Sequence, residues 1–163
     1  MSVTSEFIKA NQNYAETFTK GELPLPPARK VAVVVCMDAR IDPARALGLE
    51  EGDAHVIRNA GGRIADALRS LAISQSLLGT EEVVIIHHTD CGMLTFSEES
   101  IRQKLRKEWK ADADSVAFLP FKDLDASVRD DISAYRASKL VRQDVPVRGF
   151  IYDVKTARLR EVS

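Results

Sequence analysis

Val31-Ala32-Val33-Val34-Val35-Cys36-Met37-Asp38-Ala39-Arg40 is a valine-rich apolar run that stops in a thiol, a carboxylate and a guanidinium at alternate positions. Continuous apolar character over a short run is what a parallel strand covered on both faces requires. Alternate side chains share a face of an extended chain, so Cys36, Asp38 and Arg40 are expected on one side of it while it stays extended. A second stretch repeats the plan: Val83-Val84-Ile85-Ile86-His87-His88-Thr89-Asp90-Cys91-Gly92 is apolar and ends in His88 and Cys91. In an open α/β sheet, ligands bind beyond the carboxyl ends of parallel strands. The two ends are therefore expected to meet in one crevice, with two sulfurs and one imidazole.

Such a set describes a zinc site with one vacancy. Structural zinc is usually closed by four protein ligands, whereas catalytic zinc keeps three and leaves the fourth position to water; Cys₂His is a recognised catalytic set. The chain has only two cysteines, so neither a Cys₄ nor a Cys₃His site can form within it. Two plainer readings compete. Cysteine is among the most buried residue types, but two cysteines with a histidine three residues before one of them favour the metal over a pair of core thiols. A Cys36–Cys91 disulfide is disfavoured because the N-terminus lacks a charged start followed by an apolar signal core, and reducing compartments keep thiols free. Cytoplasmic residence is the expectation.

Cys36-Met37-Asp38-Ala39-Arg40 followed by His88-Thr89-Asp90-Cys91 resembles the zinc motif of the β-class carbonic anhydrases, C-x-D-x-R with a later H-x-x-C. The Val56-Ile57-Arg58-Asn59-Ala60-Gly61 segment and the helix expected after it also resemble the small members of that family, a group that includes carbonyl sulfide hydrolases. The likeness runs from about Lys30 to Val154. It implies that Cys36, His88 and Cys91 hold Zn²⁺ and that Asp38 and Arg40 form a catalytic dyad. An arginine can hold a carboxylate by a bidentate, charge-assisted pair, which would keep Asp38 off the metal and leave it an oxygen to accept a hydrogen bond from metal-bound water. The family is known with the aspartate either off or on the zinc. The implied reaction is hydration of carbon dioxide to bicarbonate and a proton by a zinc-bound hydroxide, with hydrolysis of carbonyl sulfide to carbon dioxide and hydrogen sulfide as the alternative on the same site. Two thiolates cancel the metal's formal charge and weaken its effect on bound water relative to three neutral histidines, so activity is expected to favour alkaline pH.

Around these two stretches the remaining elements fall into place. Residues 30–163 read as a zinc-binding α/β catalytic domain, a mostly parallel sheet of about four strands flanked by helices. Residues 1–29 read as an N-terminal helical arm and a Pro-rich connector. In the arm, Phe7, Ile8, Tyr14, Ala15 and Phe18 share roughly one helical stripe between Thr4 and Thr19, with Thr4 or Ser5 as N-cap. Pattern alone leaves open whether that stripe covers its own domain; the resemblance implies that it clasps a second subunit, in a homodimer or a higher homo-oligomer with active sites near the interface. Ala54 to Arg58 is a short strand, and Asn59-Ala60-Gly61-Gly62 turns the chain into a helix from about Ile64 to Leu78 ended by Gly79. Ser97 to Lys110 is a charged helix, Ala111 to Leu124 an irregular loop, and Asp125 to Arg142 helical through Val128, Ile132, Tyr135 and Leu140. Val147 to Val154 is the last strong strand, and Leu159 to Val162 adds an antiparallel edge.

With 23 basic and 24 acidic residues the net charge is −1, which points to a small-molecule substrate and gives no support for nucleic-acid or anionic-membrane binding. Of the three histidines, His87 faces away from His88 if the strand persists and reads as packed or hydrogen-bonded, while His55 has no evident partner. A cysteine phosphatase would need an arginine six residues after its nucleophile, where Asp42 stands. A zinc-holding module without turnover, its site closed by Asp38, is the reading from another class; a restrained carboxylate beside an open position argues against it.

Overall fold

β1 (Val31–Cys36) lies inside the sheet, paired in parallel with β2 (Ala54–Asn59) on one side and β3 (Glu82–His88) on the other. The computed structural model describes residues 2–163. β4 (Val147–Tyr152) extends the sheet in parallel beyond β3, and β5 (Leu159–Val162) closes that edge antiparallel, for an order β2-β1-β3-β4-β5. The sheet thus has the four parallel strands expected and a fifth, the antiparallel edge. The chain leaves β1 for β2 on one side and returns to β3 on the other. Such a reversal opens a crevice at the carboxyl ends of the two central strands, and Cys36 and His88 are the last residues of those strands.

Burial follows the pattern of a strand covered on both faces: Ala32 to Cys36 are all buried. On one face Ala32, Val34, Val83 and Ile85 pack against α3 (Ile64–Leu77) and α5 (Leu124–Ala137) through Ile64, Leu71 and Tyr135. On the other, Val33, Val35 and Ile86 meet Met93, Phe121 and Tyr152. α2 (Pro43–Leu47) starts on an Asp42 cap with Pro43 at its first position, where its missing N–H costs nothing. α4 (Glu98–Trp109) is capped reciprocally by Ser97 and Ser100.

Two expectations need correction. α5 stops at Ala137 instead of Arg142, and Leu140 is exposed. The Gln75 side chain accepts from the Arg142 backbone N–H at 2.8 Å and donates to Tyr135 Oη at 2.7 Å, drawing the segment after the helix towards α3. His55 does have a partner: its Nδ1 lies 2.7 Å from Ser74 Oγ, which is 2.6 Å from Thr80 Oγ1.

α1 (Val3–Thr17) is capped by Ser2, ahead of the expected Thr4 or Ser5, and none of its described residues is buried. Phe7, Ile8 and Tyr14, with Phe18 just past its end, stay exposed, so the apolar stripe does not cover its own domain. Tyr14 Oη donates to Glu51 at 2.9 Å and Lys20 Nζ to Glu50 at 3.1 Å, tethering the arm to the turn before β2. Among the described residues no helix is long and apolar enough to cross a membrane.

Candidate metal centre

Cys36, His88 and Cys91 converge where the two central strands end. Cys36 Sγ, Cys91 Sγ and a ring nitrogen of His88 lie within 4.8 Å of one another, and all three residues are buried. The His88 Nδ1–H donates to the carbonyl of Thr89 at 2.8 Å, leaving Nε2 as the bare acceptor nitrogen. That Nε2 is buried without a hydrogen-bond partner. A buried orphan lone pair is unfavourable, and a cation between the sulfurs and Nε2 would satisfy it. The thiols make the same case. Cys36 is drawn down to about 4, chiefly by the Cys91 thiol and against the opposing effect of burial, with further help from His88 and the backbone N–H groups of Asp38 and Gly61. Cys91 is pushed up by donating to Cys36 and by burial. A cation between them would stabilise both sulfurs as thiolates. Two sulfurs and an imidazole with room for a fourth ligand are the donor set of a catalytic zinc ion.

The glycine turn brings the strands together. Residues 60–62 form a single 3₁₀ turn in which Gly61 and Gly62 have φ of +80° and +68°. A Cβ on Gly62 would stand 2.9 Å from both the Cys36 backbone nitrogen and the Ile86 carbonyl oxygen. Only glycine lets this turn lie against β1 and β3 at the metal-facing end.

Asp38 and Arg40 are adjacent to the three donors, but by a route other than strand alternation. The chain leaves the sheet at Cys36, and the Asp38 carboxylate accepts the Arg40 backbone N–H at 2.9 Å, forming a tight turn. The Arg40 side chain then grips the same carboxylate with two parallel bonds, Nε to Oδ1 at 2.9 Å and Nη2 to Oδ2 at 2.7 Å. Arg40 holds the Asp38 carboxyl far below the usual carboxylate range. Asp38 Oδ2 lies 3.7 Å from His88 Nε2, so the carboxylate stands beside the donor group and is turned towards the arginine.

Arg58 and Asp90 carry more of the site than the sequence reading gave them. The Arg58 guanidinium donates from Nη2 to the Asp38 carbonyl at 2.7 Å and to the Cys36 carbonyl at 3.0 Å, bracing the turn that presents the dyad. It stands opposite Val35 across β1–β2, a register that the linear sequence does not carry. His87, one residue from His88, points to the opposite face as expected: it is fully buried, with Nδ1 2.7 Å from Ser127 Oγ, Nε2 2.9 Å from Asp131 Oδ2, and its ring stacked on Phe121.

The donor group opens into a cleft of about 700 Å³ whose far wall is apolar, with Met37, Met93, Phe96, Ile101 and Phe118 around it. Phe118 comes from the loop after α4, pinned where Glu98 accepts the backbone N–H groups of Phe118 and Leu119 at 3.0 and 2.9 Å.

The sequence model of the carbonic anhydrase family matches residues 31–159. Beta-carbonic anhydrase 1 of Mycobacterium tuberculosis is 42% identical over 170 residues, covering 100% of this chain and 99% of the relative. A carbon disulfide hydrolase of Acidianus sp. is 32% identical over 187 residues, covering 98% and 90%. The crystal structure of a carbonic anhydrase from Streptococcus mutans superposes with a TM-score of 0.94 at 49% identity, covering 100% and 99%. The β-carbonic anhydrases use zinc, this chain carries a Cys-His-Cys group placed to bind that ion, and the chain belongs to the β-carbonic anhydrase family.

Proposed function

We propose that the protein hydrates carbon dioxide reversibly to bicarbonate and a proton, with Cys36, His88 and Cys91 as zinc ligands and Asp38 and Arg40 as the catalytic dyad. The observation that carries this reading is the carboxylate of Asp38, fixed by Arg40 beside three metal donors at the mouth of an apolar cleft. Bound zinc would supply an activated nucleophile and a Lewis acid. The chain's own groups do the rest. Asp38 Oδ2 spends one lone pair on Arg40 and keeps another to accept a hydrogen bond from the attacking water, orienting its remaining lone pair towards the cleft. Arg40 prevents the carboxylate from taking the metal's fourth position. The apolar wall suits a small linear molecule without charge and disfavours bulk water around it. A site permanently closed by Asp38, and hence a non-enzymatic zinc module, is disfavoured because both carboxylate oxygens are engaged by Arg40.

A second reading keeps a specific support. The relatives that are carbon disulfide hydrolases span nearly this whole chain, so hydrolysis of a sulfur analogue such as carbonyl sulfide is the alternative; the ligands and dyad serve either reaction. We assign the chain to a homodimer or larger homo-oligomer in which α1, whose apolar stripe is uncovered, clasps a neighbour, residues 30–163 forming the catalytic domain and residues 1–29 the arm and connector. A reducing cytoplasmic setting suits its two free thiols.

The deciding experiment compares rates on carbon dioxide and on carbonyl sulfide for the zinc-loaded protein. Fast hydration of carbon dioxide, rising from mildly acid to mildly alkaline pH, is the expected result; sulfide release with slow hydration would favour the alternative, and silence on both would overturn the enzymatic reading. Asp38 is ionised throughout that range because Arg40 holds it so far down, so the dyad does not titrate there and the rise belongs to the nucleophile. Asp38→Asn and Arg40→Gln should each lower kcat by roughly 10²-fold, the usual scale for a group acting on a transferring proton, while metal content by elemental analysis stays near one per chain. Full activity in both variants would remove the dyad from the mechanism.

A further inference from the structure

We propose that Asp90 is the third member of the dyad, a positioning residue that locks Arg40 and thereby keeps Asp38 off the metal. This rests on the metal-ligand reading above. The Arg40 guanidinium is gripped from two strand ends at once. Its Nε and Nη2 edge serves Asp38, beyond β1, while Nη1 donates to Asp90 Oδ2 at 2.7 Å and Nη2 to the Asp90 carbonyl at 3.0 Å, beyond β3. A planar guanidinium offers its donors in a fixed fork, and here Asp38 and Asp90 between them occupy every nitrogen of that fork. With one edge held, the other cannot rotate.

The backbone at Asp90 supports the same role. Its φ is +55°, a left-handed conformation that aspartate and asparagine tolerate better than most side chains. This conformation turns both its carbonyl and its carboxylate towards Arg40, immediately before the metal donor Cys91. Removing the Asp90 side chain leaves only the backbone carbonyl on that side of Arg40, and the Asp38–Arg40 pair is then freer to swing as a unit or to part. Asp38 Oδ2 starts only 3.7 Å from His88 Nε2, so a released carboxylate competes for the fourth position.

Asp90 is exposed, so its grip is that of a surface ion pair and the expected shift is modest, about two- to fivefold in the balance between the two arrangements. The sign distinguishes it from a simple field effect. Deleting a negative charge near the site would strengthen the binding of an anion to the metal, whereas releasing Asp38 weakens it by competition.

The test uses the full chain loaded with cobalt(II), whose visible absorption reports thiolate ligation and the occupant of the fourth position, titrated with azide. Asp90→Gly keeps the left-handed backbone and removes the side chain; Asp90→Asn keeps an uncharged acceptor. Azide is expected to bind about two- to fivefold more weakly to Asp90→Gly, less so to Asp90→Asn, and no more weakly to the Asp38→Ala, Asp90→Gly double variant than to Asp38→Ala. Equal weakening with and without Asp38, tighter azide binding, or no change in Asp90→Gly would overturn the proposal while leaving the metal site standing. Absence of thiolate-to-cobalt absorption in the unaltered protein would overturn both the ligand assignment and the role of Asp90.

Discussion

Alanine at His88 should weaken metal binding sharply and remove most of the activity while the fold survives, whereas alanine at His87, the adjacent residue, should spare the metal donors and cost stability. The two imidazoles leave β3 on opposite faces. His88 presents a bare Nε2 to Cys36 and Cys91, and a zinc site of this kind draws about 3 kcal/mol from each ligand, so affinity is expected to fall a hundredfold or more. Nothing else in the core depends on that nitrogen. His87 instead fills the space between Phe121 and α5 and bonds to Asp131, which is itself 1% exposed. Its removal leaves a cavity and a buried carboxylate that has lost a hydrogen-bond partner and keeps Arg63 at 3.4 Å, a loss of about 2–4 kcal/mol in stability. Competitive chelation reads the first effect and denaturant unfolding of the metal-free proteins reads the second. If His88→Ala retained stoichiometric zinc at micromolar chelator, the ligand assignment would be wrong.

The second large effect is expected at Gly62. An alanine there must hold φ near +68° and place its Cβ 2.9 Å from backbone atoms on both central strands, Cys36 N and Ile86 O. Backbone cannot move aside as a flexible side chain can. The left-handed strain and the overlap together amount to about 2–5 kcal/mol, and the melting temperature should fall on the order of 10 °C. Because the overlap falls on Cys36 itself, metal affinity should fall as well. Gly79→Ala is the matched control: its φ is +73°, but its added Cβ meets nothing within 4 Å, so it carries the strain alone and spares the metal. Equal melting temperatures for the two variants would show that the close approach at Gly62 contributes nothing.

The α/β class, the two strands that end at the site and the candidate donors at those ends were legible in the linear chain, because each of these is local. The valine-rich run over Val31–Val35 reads as a buried strand, and a parallel pair of such strands puts its functional residues at the carboxyl ends. The motif that carries Cys36, Asp38, Arg40, His88 and Cys91 is spaced densely enough to name a family. The opposite orientation of His87 and His88 follows from a two-residue period.

Other features depend on contacts between segments distant in the chain and are absent from any local pattern. Asp38 and Arg40 come together through a side-chain-capped turn after the strand has ended, which alternation along β1 does not describe. Arg58 is an ordinary β2 residue until the parallel register sets it against the Cys36 and Asp38 carbonyls. Asp90 reads as a spacer in H-x-x-C until the order β2-β1-β3 brings the ends of β1 and β3 side by side and Arg40 reaches across. The helix over Leu124–Ala137 ends where Gln75, more than sixty residues earlier, captures the following backbone. Periodicity encodes which face of an element is buried; what that face meets is set by sheet order and register, and the chemistry of this site resides in the meeting of two strand ends.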